Sequence, residues 1–162
     1  MMRPARPAFA RAALGALAAS SIALAAEEKL GPEGVFTMIV VKDGKKFNRC
    51  IMHQRQGNNV LRIASSRDGQ YSLSVPTAGQ DKSVSFSVSV DNKSGYGIPI
   101  TGQDKERTWS TLPKETAAAI RSGRSTLDVE LGAARFKWRL NKDMDMSFAV
   151  LDSCVEGYRN GA

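Results

Sequence analysis

This 162-residue chain has only two cysteines and one histidine, so thiolate and imidazole ligands are scarce. A closed zinc site takes four such ligands, so no metal site and no cofactor is expected. Cys50 and Cys154 lie far apart, and no C-x-x-C spacing supports a reactive thiol pair. His53 would have to serve any Ser-His-Asp device alone. No G-x-S-x-G elbow is present, and Ser65, Ser66 and Ser153 stand in no distinguishing context. The carboxylates Asp81, Asp91, Asp104 and Glu106 fall mostly in turn-like sequence, which places no acid and base across a cleft. An enzyme is therefore not the expectation. The chain also lacks an internal repeat, a low-complexity segment and an interior linker. Its longest apolar stretch, Ala12 to Leu24, has about 13 residues, and a spanning helix needs roughly 20.

What that stretch fits is a secretory signal peptide. Arg3, Arg6 and Arg11 form a positive start with no acid, the apolar stretch follows, and Ala23-Leu24-Ala25 gives the small-x-small cleavage pattern. Residues 1–25 are expected to be the signal, and 26–162 a single β-rich domain in the periplasm or outside the cell. No membrane span is expected after cleavage. The formal charge is +7; without the three signal arginines, 20 basic residues face 16 acidic ones, a net +4. That is too mildly basic for composition to suggest a nucleic-acid binder. Export also places Cys50 and Cys154 in an oxidising compartment, where one intramolecular disulfide is the expectation.

Period-two alternation dominates the rest. In Ser83–Val90 the residues Val84, Phe86, Val88 and Val90 alternate with serines, the pattern of a half-buried strand. Tyr71, Leu73 and Val75 alternate with Ser72 and Ser74, and Leu127, Val129 and Leu131 with Asp128 and Glu130. Phe136, Trp138 and Leu140 alternate with Arg135, Lys137 and Arg139. Lys42-Asp43-Gly44-Lys45 separates two more runs, Val35–Val41 and Lys46–Gln54, as a hairpin turn. Gly57-Asn58-Asn59 and Arg67-Asp68-Gly69-Gln70 precede Val60–Ala64 and Tyr71–Val75. Short strands at this spacing predict an antiparallel β-sandwich or barrel-like domain. Two helices are expected to break the pattern. A short one starts at Thr111-Leu112-Pro113 and ends at Gly123. A C-terminal one starts near Asp143 and ends at Gly157 or Gly161, with Met144, Phe148, Leu151 and Val155 on one face.

Two surface features carry candidate chemistry. Arg135, Lys137 and Arg139 share one strand face, a row of cations that could hold an anionic polymer or an acidic envelope protein, or merely keep the outer face wet. Met52 and His53 lie beside Cys50, and Met144 and Met146 lie on the last helix with Cys154. Thioethers and imidazole suit Cu(I); core packing is the plainer expectation for these methionines. Sequence does not say whether the four groups meet.

Arg49-Cys50-Ile51, the strand end Val88-Ser89-Val90-Asp91 and Phe148-Ala149-Val150-Leu151 carry a resemblance, which runs from about Arg49 to Cys154. With the order of signal, cysteine strand, hairpins, short helix, two strands and closing helix, the chain resembles small exported proteobacterial proteins of the invasion-associated-locus-B type and similar periplasmic families. It departs from them in lacking a mid-chain cysteine pair. The resemblance implies a β-sandwich-like periplasmic protein without known catalysis. Three functions remain in view: a non-enzymatic structural or interaction role at the cell envelope, a binding or inhibitor module for an anionic component or protein partner, and a small periplasmic enzyme.

Overall fold

The computed structural model describes residues 25–77, 79 and 84–160. The expected signal region, residues 1–24, lies outside them. Strands β1 (Ala26–Glu33), β2 (Phe36–Asp43), β3 (Lys46–Gln56), β4 (Asn59–Ser66) and β5 (Tyr71–Pro76) follow one another as antiparallel neighbours. Strands β6 (Phe86–Val90), β7 (Tyr96–Gly97), β8 (Gly102–Gln103) and β9 (Arg107–Thr111) come next, then helix α1 (Lys114–Arg121). Strands β10 (Thr126–Leu131) and β11 (Ala134–Arg139) and helix α2 (Met144–Asn160) complete the order. The larger sheet runs β1-β2-β3-β4-β5-β9-β8 and the smaller β11-β10-β6-β7. The two sheets do not close into a barrel.

One core joins both sheets and both helices. In the smaller sheet, register stacks inward residues into rows. Val90, Leu127 and Trp138 form one, and Val88, Val129 and Phe136 the next. Trp138 is buried at 1% exposure, on the parity its alternation predicts. The larger sheet contributes Phe36, Met38, Val40, Leu61, Ile63, Leu73 and Val75. In β3 the parity breaks. The pairing shifts where Val41 meets Arg49 but Lys42 meets Phe47, so Asn48 is an extra residue in a bulge. That bulge lets Phe47, Cys50 and Met52 all face the core. Helix α2 packs on β3 and β4 with Met144, Phe148, Leu151 and Val155 buried. The Asp143 carboxylate accepts the Met146 N–H at 3.0 Å and so satisfies an orphan donor of its first turn.

Several expectations shift. The serine-faced strand begins at Phe86, not Ser83; Val84 and Ser85 precede it and Ser83 is not among the described residues. Gly157 lies within α2 and does not end it, because the helix continues to Asn160. Gly123 does follow α1, and packing demands it: a Cβ there would sit 2.6 Å from Leu140 Cδ1 and 2.8 Å from Val90 Cγ1. His53 sits on β3, an interior strand between β2 and β4. Strands β1, β7, β8 and β9 carry no apolar alternation and are found only in the structure.

A turn carboxylate fixes the smaller sheet. Asp91 and Asn92 adopt left-handed backbone, φ 52° and 57°, a conformation these two residue types tolerate better than most. The Asp91 carboxylate then accepts the N–H groups of Arg124, Ser125 and Thr126 at 2.8, 2.8 and 3.0 Å. Burial alone would raise its pKa, but the three N–H donors outweigh it and hold the group below the ordinary aspartate value. Asp91→Ala is expected to lower stability by about 2 kcal/mol near neutral pH. A depressed carboxylate stabilises above its unfolded pKa and loses that contribution as pH falls through the folded value. The difference between wild type and variant should therefore shrink below about pH 4. Denaturant melts at pH 7 and pH 3 check this, and equal curves at pH 7 would refute it.

Candidate functional site

The outer face of the larger sheet is built by register rather than by any one segment. Thr37 pairs with His53, His53 with Arg62, Arg62 with Ser74, Ser74 with Trp109, and Trp109 with Gly102. One transverse row thus places a histidine, an arginine, a serine and a tryptophan side by side across β3, β4, β5 and β9. The neighbouring row is Ile39, Ile51, Ala64 and Ser72. Ile39, Val41, Ile51 and Ala64 form a second, small buried cluster, separate from the main core.

That cluster is buried because the face is concave. Glu27 on β1 receives a forked bond from Arg62 on β4, with Nη1–Oε1 2.7 Å and Nη2–Oε2 3.2 Å. Three interstrand gaps separate these strands, roughly 14 Å in a flat sheet. The sheet must curl for the two side chains to meet. The bridge divides the concavity into two hollows that share Arg62. One, of about 570 Å³, is lined by Glu27, Lys29, His53 and Arg55 among others. The other, of about 300 Å³, is lined by Arg49, Ser72, Ser74, Asp104, Arg107 and Trp109, with Ile51 and Ala64 as its floor.

The face is predominantly cationic, with Lys29, Arg49, Arg55, Arg62 and Arg107 against Glu27 and Asp104. The Arg107 guanidinium lies in the sheet surface, where Nε bonds Ser74 Oγ at 3.1 Å and Nη2 bonds the carbonyls of Val60 and Ser74 at 2.9 and 2.7 Å. Among the described residues no carboxylate forms an ion pair with it. Burial, then the charge of Arg62, pushes its pKa down to about 10, which leaves it a cation at neutral pH. Burial likewise lowers the pKa of His53, with help from Arg62 and Arg55. His53 Nδ1 and Arg62 Nε are buried without a hydrogen-bond partner among the described residues. Trp109 stands 36% exposed with its indole over Gly102, where a Cβ would come within 2.4 Å of the ring.

The residues singled out from sequence are placed differently. Arg135, Lys137 and Arg139 do share the exposed face of β11, but acids on β10 answer two of them. Arg135 lies 3.4 Å from Glu130 and Lys137 3.5 Å from Asp128. Met52 and Met144 are buried in the core, whereas Met146 is 57% exposed and His53 projects from the opposite face of β3 to Met52. The four groups do not converge. Of the acids, Asp91 is bonded as above and Asp104 accepts the N–H groups of Glu106 and Arg107 at 2.8 and 2.7 Å; Asp81 lies outside the described residues. A further cavity of about 510 Å³ lies between α1, α2 and the β4–β5 turn. Two of its polar side chains are engaged: Tyr71 donates to Asp152 at 2.6 Å, and Arg121 pairs with Asp145 and Asp152. Burial and that bond push the Tyr71 hydroxyl up to about 12.

Cys50 and Cys154 form a disulfide, with Cα atoms 6.2 Å apart, that joins β3 to α2. Among the described residues no helix is long and apolar enough to cross a membrane. The disulfide fits a periplasmic or extracellular protein. No protein-family model matches the sequence, and no curated protein does. Among solved structures, the fold is similar to that of invasion associated protein B from Bartonella henselae, with a TM-score of 0.57 at 17% identity over 82% of this chain and 98% of that one. The likeness expected from the order of elements is thus found in the fold.

Proposed function

We propose that this chain is an exported, non-catalytic binding protein of the cell envelope that holds an anionic partner on the concave face of its larger sheet. The observation that carries the reading is the pair Arg62 and Arg107, set over an apolar floor, where Glu27 pairs with Arg62 and Asp104, the other carboxylate lining the hollow, is turned to backbone N–H groups. Cations in a concavity with low-dielectric walls concentrate anions more than the same cations on a convex surface. The non-catalytic part rests on how the acids are used, since Asp91 and Asp104 hold backbone amides. Strand β1 begins at Ala26, the residue after the expected cut, so an exported chain would keep the whole face.

The test is equilibrium binding of the exported protein to immobilised dextran sulfate, with neutral dextran as the blank. Arg49→Gln/Arg55→Gln removes two exposed charges from the concavity. It is expected to weaken retention about tenfold at low salt, the difference fading as salt screens it. The triple variant of Arg135, Lys137 and Arg139 to glutamine is expected to bind as wild type, because acids already answer two of its charges. The opposite result would move the binding surface to β11.

A further inference from the structure

We infer that the ligand of this face is a carboxylate-bearing saccharide, stacked on Trp109, with its acid group taken by Arg62 and Arg107; this rests on the binding reading above. Four observations lead there. The first is the platform. Trp109 lies over Gly102, where a Cβ would strike the indole, and it is among the exposed large apolar side chains. A sugar ring has one apolar C–H face and a polar rim, which matches a flat aromatic with hydrogen-bonding groups around it. Ser74, the register neighbour of Trp109, supplies a hydroxyl at that rim.

The second is the form of the cations. Guanidinium groups are planar forks that match a carboxylate in two bonds. Arg62 already shows that geometry with Glu27. Arg107, with Nε and Nη2 bonded to Ser74 and Val60, adds its charge and Nη1. The third is the position of the site within the sheet. Strands β4 and β5 are both flanked, by β3 and β9, so their backbone groups are spent in the ladder. An extended acidic peptide could not add there as a strand. The fourth is Glu27 itself. It reaches across β2 and β3 to occupy Arg62, the place an incoming carboxylate would take. Glu27 is thus a built-in competitor, and the ligand exchanges one carboxylate for another at Arg62 while gaining Arg107 and Trp109.

Titration calorimetry and tryptophan fluorescence with trigalacturonate test this on the exported protein. Trp138 is buried, so a ligand-induced emission change reports on Trp109. Trigalacturonate is expected to bind at least about tenfold tighter than neutral galactotriose or hexaglutamate, each of which lacks one half of the recognition. Trp109→Ala should weaken it about tenfold. Glu27→Gln should tighten it about threefold, the size of an exposed ion pair. Glu28→Gln, the same charge change on a residue that pairs with Lys42 instead, should not. Should Trp109→Ala disturb folding, Arg62→Gln tests the other half without touching the platform: trigalacturonate should lose its advantage over galactotriose. Equal binding of hexaglutamate and trigalacturonate, indifferent to Trp109, would overturn the saccharide while leaving an anion-binding face intact. Failure of every anion, dextran sulfate included, would overturn both.

Discussion

Replacing Trp138 by alanine is expected to lower the unfolding free energy by about 3–5 kcal/mol, the range for a large aromatic removed from a packed core. The side chain is buried at the end of its row, beside Leu127 with Val90 beyond, and stacks on Phe136, with ring centroids 5.4 Å apart. Collapse around the gap is restricted, because its neighbours are strand residues fixed by ladder bonds on both sides of β10. The indole Nε1 has no hydrogen-bond partner among the described residues. Trp138→Phe removes that buried donor along with part of the ring, so it should cost far less than Trp138→Ala. The triple change of Arg135, Lys137 and Arg139 to glutamine should shift stability by less than about 1 kcal/mol, since exposed ion pairs contribute little. Urea melts of the three variants decide it. A neutral Trp138→Ala with an unfolded triple variant would invert the register of β11.

This contrast also shows why some of the molecule could be read in advance. In β5, β6, β10 and β11 the inward residues are apolar and the outward ones polar, so alternation reports both the strand and its buried side. In β9 the inward residues are Thr108 and Ser110, fully buried but polar, and the outward ones include Trp109. Alternation there runs backwards, and Arg107-Thr108-Trp109-Ser110-Thr111 gives no usable signal. Strand β1 is exposed along most of its length and carries Gly31 and Pro32, which suit an edge and mute strand propensity. Asn141 holds its turn in place, accepting the Val35 N–H at 2.8 Å and donating to Glu33 O at 2.9 Å, across more than a hundred residues. Nothing local announces that contact.

The candidate site suffers most from this. Arg62, Ser74 and Trp109 come from three strands, and only the pairing of β4 with β5 and of β5 with β9 sets them in one row. The β11 cations were visible because they sit two apart in one strand; the acids that answer them sit on β10 and become neighbours only through register. Ser72 and Ser74 were legible as a wet strand face. That this face is a concave floor follows from the curl that brings Glu27 to Arg62, which no spacing encodes.

Removing the disulfide is the other large perturbation. Cys50→Ala/Cys154→Ala is expected to lower stability by roughly 4–5 kcal/mol, the chain-entropy value for a closed loop of about a hundred residues. The two cysteines stand 104 positions apart, so the bond restricts most of the unfolded domain. It also ties α2 to β3, on the sheet whose core face that helix covers. Alanine suits both positions better than serine, because Cys50 is fully buried and a hydroxyl there would need a partner. If the bond acts through the unfolded chain, wild type in reductant should melt with the double variant, and the two should differ only under oxidising conditions. A gap that persisted under reduction would instead assign the loss to packing of the sulfur atoms. Thiol titration of the denatured, unreduced protein provides the direct check: it should find no free thiol. Two titratable thiols would remove both the covalent link between helix and sheet and the support it lends to an oxidising compartment.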